Sequence, residues 1–194
     1  PMMRKSMRAG LLELNTAYPG KLTLRISVDH WAQDNHDTER GAGTFDKTIE
    51  GMNWLQQNGF SLAVAGRTVW GESEADARAG YAALYAKHGF DIDANSAAQT
   101  VLFPEMDESV DVPEITTECW DILGKSPDAM MCASSRMVVK RKGACKPAVL
   151  ACTLLPYSEE FELGETLEQA EGSVQLNHPH CAKFCVLGGA SCSA

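Results

Sequence analysis

The chain has 194 residues, of which 44% are hydrophobic and 22% are charged, values typical of a globular protein. Its net charge of −9 argues against a nucleic-acid-binding protein, because such proteins usually carry a basic stripe. The longest apolar runs are too short to cross a bilayer, and no signal segment opens the chain. We therefore expect a cytoplasmic protein that binds neither nucleic acid nor a membrane. Its one basic cluster is expected at a solvated hairpin tip and comprises Lys140, Arg141, Lys142 and Lys146.

Helical and strand patterns alternate in the first half of the chain. Apolar residues at helical spacing predict a helix that ends before Tyr18 and a second helix, capped by Thr44, that ends at Gly59. A capping box of Ser73 and Asp76 begins a third helix. Between them, alternating residues predict strands over 22–28, 60–66 and 100–103, and polar residues predict a loop from the first strand to Gly43.

This order of helices and strands predicts parallel βα units. In the first two strands one face is apolar and the other is small or polar, as in a curved sheet whose concave side binds a ligand. Three strands cannot close a barrel. The predicted fold class is therefore α/β, with a partial parallel βα barrel over residues 1–112 and a small cysteine-rich domain over residues 113–194.

The second domain is predicted to contain little regular structure. A short helix is expected from Pro113 to Leu123, and strand-like runs over 136–140 and 148–153 predict a hairpin that turns at Gly143. A further short helical start is expected over 163–167.

All seven cysteines lie between Cys119 and Cys192. An odd number of cysteines without a secretory signal favours metal binding or redox work over a disulfide framework. The predicted hairpin can bring Cys132 and Cys152 together, and the tail adds Cys181, Cys185 and Cys192. Cys132, Cys152 and two of the three tail thiols would make a four-thiolate site.

Several alternatives stay open for these side chains. The absence of paired C-x2-C knuckles favours a [4Fe–4S] cluster over zinc, although zinc also accepts four thiolates. Thiols without any metal are the third alternative. A thiol without metal is the preferred interpretation for Cys119, which lies on a helical face, and the question is left open for Cys145. His178 and His180 could bind a metal, but we interpret them as structural or solvated.

Three motifs in the first half resemble a known family. They are Arg25-Ile-Ser-Val-Asp-His30, then His36-Asp-Thr-Glu-Arg-Gly41, then Gly43-Thr-Phe-Asp46 at the start of a helix. In this order and spacing they resemble the middle of the radical S-adenosylmethionine (SAM) barrel. The segments around Cys132 and Cys152, together with the tail, resemble the auxiliary-cluster extension, of SPASM or twitch type, that follows such barrels. The resemblance covers essentially the whole chain.

The resemblance implies cofactors and site residues. Ser27 would contact the amino-acid part of SAM, and Asp29 and Arg40 would bind or shape the same pocket. Arg67 is expected on the concave face, where a buried guanidinium needs an anionic partner, and is included in this cofactor site. A loop-stabilising ion pair between Asp29 and Arg40 is the alternative. An auxiliary [4Fe–4S] cluster would be bound in this chain, and SAM with a second [4Fe–4S] cluster in the full-length protein.

One departure from the family pattern is large. The C-x3-C-x2-C loop that holds the SAM-cleaving cluster is absent from these residues. We therefore expect a C-terminal fragment, inactive alone, of an enzyme that cleaves SAM to a 5′-deoxyadenosyl radical and abstracts hydrogen from a substrate. An electron donor such as a flavodoxin or ferredoxin is implied. The substrate is unknown, with peptides as the precedent among related enzymes. A non-catalytic iron–sulfur or zinc module for electron transfer or assembly is the alternative function.

Overall fold

In the computed structural model, which describes residues 3–188, the chain divides into two compact units, Pro1–Glu105 and Met106–Ala194. The division falls after Glu105, whereas the boundary expected from sequence follows residue 112. One unit contains a parallel sheet and the other an antiparallel sheet, so the mixed α/β prediction is confirmed at that level. Across the described residues, no helix combines the length and the apolar character needed to span a membrane.

The first unit is a three-stranded parallel sheet with four helices. The strand order is β1-β2-β3, with Leu24 opposite Leu62 and Ala65 opposite Val101. The sheet does not close, and within the described residues β1 pairs with β2 alone. A barrel of the radical SAM type therefore stays a prediction. The elements are α1 (Lys5–Ala17), β1 (Thr23–Ser27), α2 (Gln33–Arg40), α3 (Thr44–Gln57), β2 (Ser61–Arg67), α4 (Glu74–His88) and β3 (Thr100–Phe103).

The core of this unit lies between one face of the sheet and the helices. Alternate residues of β1 and β2 supply the strand side, and Met52 and Leu55 of α3 supply part of the helix side. Tyr81 of α4 is completely buried, and its hydroxyl donates a hydrogen bond to Val28 O at 2.7 Å. The tyrosine thus fills the core with its ring and also satisfies a carbonyl at the end of β1.

The segment predicted as a loop up to Gly43 contains helix α2, so that prediction was wrong. α2 is almost entirely polar and carries no apolar period from which a helix can be recognised. The predicted cap of α3 was also wrong, because Thr44 is the first helical residue and Gly43 precedes it with φ 72°. The capping box of α4 is confirmed, with Asp76 N donating to Ser73 Oγ at 3.1 Å.

The second unit is built from short elements around a three-stranded antiparallel sheet of order β4-β5-β6. The hairpin of β4 and β5 is confirmed, and Gly143 lies in its turn with φ 82°. The elements are α5 (Cys119–Leu123), α6 (Met131–Ser134), β4 (Met137–Val139), β5 (Ala148–Leu150), β6 (Glu162–Gly164) and a π-helical segment (Cys181–Val186), called here the tail helix; three 3₁₀ turns span Pro127–Ala129, Glu159–Phe161 and Glu168–Ala170.

Two predictions for the second unit differ from the structure. The helix expected from Pro113 is confined to Cys119–Leu123. The helical start expected over 163–167 does not form, because Leu163 and Gly164 belong to strand β6, which pairs with β5, and the next 3₁₀ turn begins at Glu168. Pairing between strands depends on tertiary contacts, and three residues carry too little pattern to reveal it.

Substituting Gly66 tests the contact between β2 and Tyr81. A Cβ at this position would lie 2.1 Å from the Tyr81 hydroxyl, which its buried hydrogen bond holds in place. We expect Gly66→Ala to lower the free energy of unfolding by about 1–3 kcal/mol in urea denaturation. The matched control is Gly10→Ala in α1, where a Cβ meets nothing within 4 Å. That change should stabilise the chain by about 0.5–1 kcal/mol. Equal stability of the two variants would contradict the expected clash.

Candidate functional site

The first group of predicted site residues lies where β1 and β2 end. Ser27 is the last residue of β1, is exposed, and lies opposite Ala65. Beyond it the Arg67 backbone N donates to Asp29 O at 2.9 Å, which joins the two strand ends. The structure thus brings Ser27, Asp29 and Arg67 together at the carboxyl end of the sheet, where βα folds place their active sites.

Both arginines of this group have carboxylate partners. Arg40 binds the Asp29 carboxylate through two nitrogens, Nε at 2.5 Å and Nη2 at 3.0 Å, so the ion pair left open by the sequence is formed. Arg67 Nη1 lies 2.5 Å from Glu39 Oε2, and its Nη2 lies 3.5 Å from Glu105 Oε2. Acidic side chains of the same unit therefore supply the anionic partner that was expected from a ligand.

The remaining residues of the second motif also make contacts within the unit. His36 is completely buried, and its Nδ1 accepts a hydrogen bond from Asp29 N at 3.1 Å. Burial lowers the pKa of His36, and the nearby Asp29 carboxylate opposes this effect. Asp37 accepts hydrogen bonds from Gly43 N and Phe45 N, both at 2.8 Å, and so caps α3. These contacts give the motif a structural role, because its residues join β1, α2 and α3 to one another.

A second set of residues near this joint was not found from the sequence. His30 Nε2 lies 2.9 Å from Glu72 Oε1, and Trp31 Nε1 donates to Glu72 Oε2 at 3.0 Å. The partners are about 40 positions apart, and no local pattern links them. Glu72 therefore fixes the two residues that follow Asp29 along the chain.

The thiols form the second group. Cys132 lies on α6, Cys152 lies two residues beyond β5, and Cys181 and Cys185 are about one turn apart on the tail helix. All four line one pocket of about 20 Å³, whose other walls are largely apolar. Cys192 lies outside the described residues. The structure therefore places four of the five predicted cysteines, from three separate segments, in the wall of one pocket.

Polar side chains anchor the elements that carry these thiols. Arg136 donates from Nη1 to Cys132 O at 2.5 Å and from Nε to Ala170 O at 2.8 Å. Lys125 Nζ donates to Val186 O at the end of the tail helix. These bonds to backbone carbonyls hold α6 and the tail helix in place without occupying the thiols.

Burial and neighbouring thiols raise the pKa of two of these cysteines. Burial raises the pKa of Cys181 to about 11; a backbone hydrogen bond with His178 opposes this effect, and the neighbouring Cys152 and Cys132 add to it. Burial also raises the pKa of Cys132, with Cys152 as the next cause. Within residues 3–188 no three acidic, histidine or cysteine side chains are arranged to hold a metal ion as they stand. A metal would therefore require these side chains to turn toward one another as their thiols lose protons.

A larger cavity of about 960 Å³ adjoins the thiol pocket. Its walls include Trp120 and Arg136, and it meets the thiol pocket at Cys132, Val174 and Leu176. This volume lies in the range of small-molecule sites. The remaining cysteine of the hairpin region, Cys145, is exposed and lies apart from both cavities.

In comparisons with protein-family models, with curated proteins and with solved structures, nothing matches the chain. The resemblance to the radical SAM family therefore rests on the motifs quoted above.

Replacing Asp37 by Asn tests the cap of α3. Backbone hydrogen bonds from Phe45 and Gly43 lower the pKa of Asp37. A lowered folded pKa contributes stability that is complete above the unfolded pKa, about 3.9, and is lost as pH falls through the folded pKa. The thermal midpoint of Asp37→Asn should therefore lie below that of the unsubstituted chain at neutral pH, and the two should converge in acid. Asp34→Asn, an exposed change on the same helix, is the control. A pH-independent difference would contradict the ionic cap.

Proposed function

We propose that this chain is the C-terminal part of a radical SAM enzyme, and that its second unit binds an auxiliary [4Fe–4S] cluster. The observation that carries the proposal is the single pocket shared by Cys132, Cys152, Cys181 and Cys185. When bound, such a cluster supplies electron transfer or a site that anchors substrate. Cys192, outside the described residues, remains the further candidate ligand.

The donor set fits iron. Thiolates are the ligands that iron–sulfur clusters use, and four cysteine side chains line this pocket. The unit around them is made of three-residue strands and helices of four to six residues. Domains with such short elements and small cores commonly gain stability from a metal. Cys181 belongs to the core cluster itself, so a metal there would stabilise the centre of the unit.

The first unit supports the SAM-binding part of the proposal through its parallel strands. Ser27 is exposed at the carboxyl end of β1 and is available to a ligand. Asp29 and Arg40 shape the strand end beside it, and Arg67 with its acidic partners borders the same edge. In this proposal SAM and the second [4Fe–4S] cluster belong to the full-length enzyme, together with an electron donor such as a flavodoxin or ferredoxin.

We place the substrate of the proposed enzyme in the larger cavity. That cavity meets the thiol pocket at Cys132, so a molecule bound there would lie beside the auxiliary cluster. Peptides are the class suggested by related enzymes. The proposal also places the protein in the cytoplasm, where thiols stay reduced.

A thiolate zinc module is the second candidate, and one observation favours it. The thiol pocket has a volume of about 20 Å³, which is close to the space needed for one water molecule. A single ion fits that space, whereas a four-iron cluster requires the walls to move apart. Such a module would act in assembly or as a structural support, without radical chemistry.

Anaerobic reconstitution separates the two candidates. With iron and sulfide, the chain should take up about four of each per molecule, with the absorbance of a [4Fe–4S] cluster. The variant Cys152→Ser/Cys181→Ser should lose that uptake because two of the four ligands are gone. Cys145→Ser, which changes an exposed thiol away from the pocket, is the matched control and should retain it. One zinc per chain without iron uptake would support the second candidate, and a chain that binds neither metal would contradict both.

The radical SAM assignment has a separate test in the gene. The reading frame that encodes this chain should also encode a C-x3-C-x2-C motif upstream of Pro1. The full-length protein, reconstituted and reduced, should then release 5′-deoxyadenosine from SAM, and Ser27→Ala should raise the SAM concentration needed for half-maximal release. A frame without the motif would remove the radical SAM assignment and leave the metal site in the second unit to be judged by reconstitution.

A further inference from the structure

His180 directly precedes the tail helix and shares the pocket of the four thiols. Its side chain is 9% exposed. The backbone N of His180 donates to His178 Nδ1 at 3.1 Å, which fixes the chain where it enters the helix. An imidazole is thereby held in the same pocket as the buried Cys181, its neighbour in sequence, and three partly buried cysteines.

The two ring nitrogens of His180 have different surroundings. Nε2 lies 3.4 Å from Glu108 Oε1. Nδ1 is buried and has no hydrogen-bond partner among residues 3–188. A buried polar atom without a partner costs free energy, and in native proteins it calls for an explanation such as an ion.

This arrangement matches the way proteins prepare a histidine to bind a metal. A metal-binding histidine usually directs its second ring nitrogen toward a carboxylate or carbonyl, which fixes the tautomer and the ring orientation. With the proton on Nε2, facing Glu108, the lone pair remains on Nδ1. The Nδ1 lone pair of the neighbouring His178 is not available in this way, because it already accepts the hydrogen bond from His180 N.

We propose that His180 binds the metal of the thiol pocket through Nδ1, with thiolates in the other three positions and Glu108 as the orienting carboxylate. This assignment rests on the proposed function, in which the second unit binds a metal. For His180 it favours metal binding, the alternative that the sequence left open, over a structural or solvated role. Three cysteines and one histidine are also a common ligand set of structural zinc sites.

X-ray absorption of the metal-loaded chain tests the assignment, with Zn²⁺ and Co²⁺ as probes added under anaerobic conditions. The unsubstituted chain should show one nitrogen neighbour at about 2.0–2.1 Å beside sulfur neighbours at about 2.3 Å. In His180→Ala the nitrogen neighbour should disappear. Glu108→Gln should keep it but weaken binding by about 10–100-fold in chelator competition, as loss of an orienting partner does. His88→Ala, which removes an imidazole from α4 in the first unit, is the control and should bind the probes as tightly as the unsubstituted chain.

The outcomes distinguish this assignment from the proposed function. Sulfur neighbours alone in the unsubstituted chain would overturn the role of His180 and leave the thiolate site intact. A chain that binds neither probe and takes up no iron with sulfide would overturn both. The X-ray absorption spectrum of the unsubstituted chain shows whether a nitrogen neighbour is present, even if His180→Ala fails to fold.

Discussion

The convergence of α6, the end of β5 and the tail helix on one small apolar pocket is the constraint on which the second unit depends. These elements are too short to bury much surface separately, and they meet at the pocket that Cys132, Cys152 and Cys181 line. Burial raises the pKa of Cys181 and of Cys132, because each of these two thiolates would be desolvated there. A cation reverses this balance, because its charge stabilises the thiolates that burial disfavours. In the proposed function the same pocket is an apolar core without the metal and supplies the ligands when the metal is bound.

In the first unit, by contrast, charged side chains stabilise the ends of the strands. The Asp29 carboxylate accepts hydrogen bonds from Arg40, and the Asp29 backbone N donates to His36 Nδ1. Arg67 forms an ion pair with Glu39. A motif that resembles a cofactor pocket is thereby also the structural joint between β1, α2 and α3. Structural contacts and ligand binding are compatible at such a place, because a ligand site needs side chains that are already held in position.

Only the proposed function connects the roles of the two units. Ser27 is exposed at the end of β1, and the thiol pocket adjoins a cavity of about 960 Å³. His180 strengthens the metal interpretation from an independent direction, since it concerns a nitrogen atom and a carboxylate rather than the thiols.

The sequence by itself determined the elements with strong periodicity or well-marked ends. β1, β2, α3 and α4 were predictable because apolar residues recur at the period of each structure, and the Ser73 cap because its hydrogen bond is local. The clustering of cysteines predicted that Cys132, Cys152 and the tail would share a site. The tertiary structure alone decided the polar helix α2, the cap of α3 by Asp37, the pairing of β6 with β5, and the contact of Glu108 with His180. Each of these depends on groups that are distant in sequence or on elements without an apolar period, so no local pattern records them before the chain has folded.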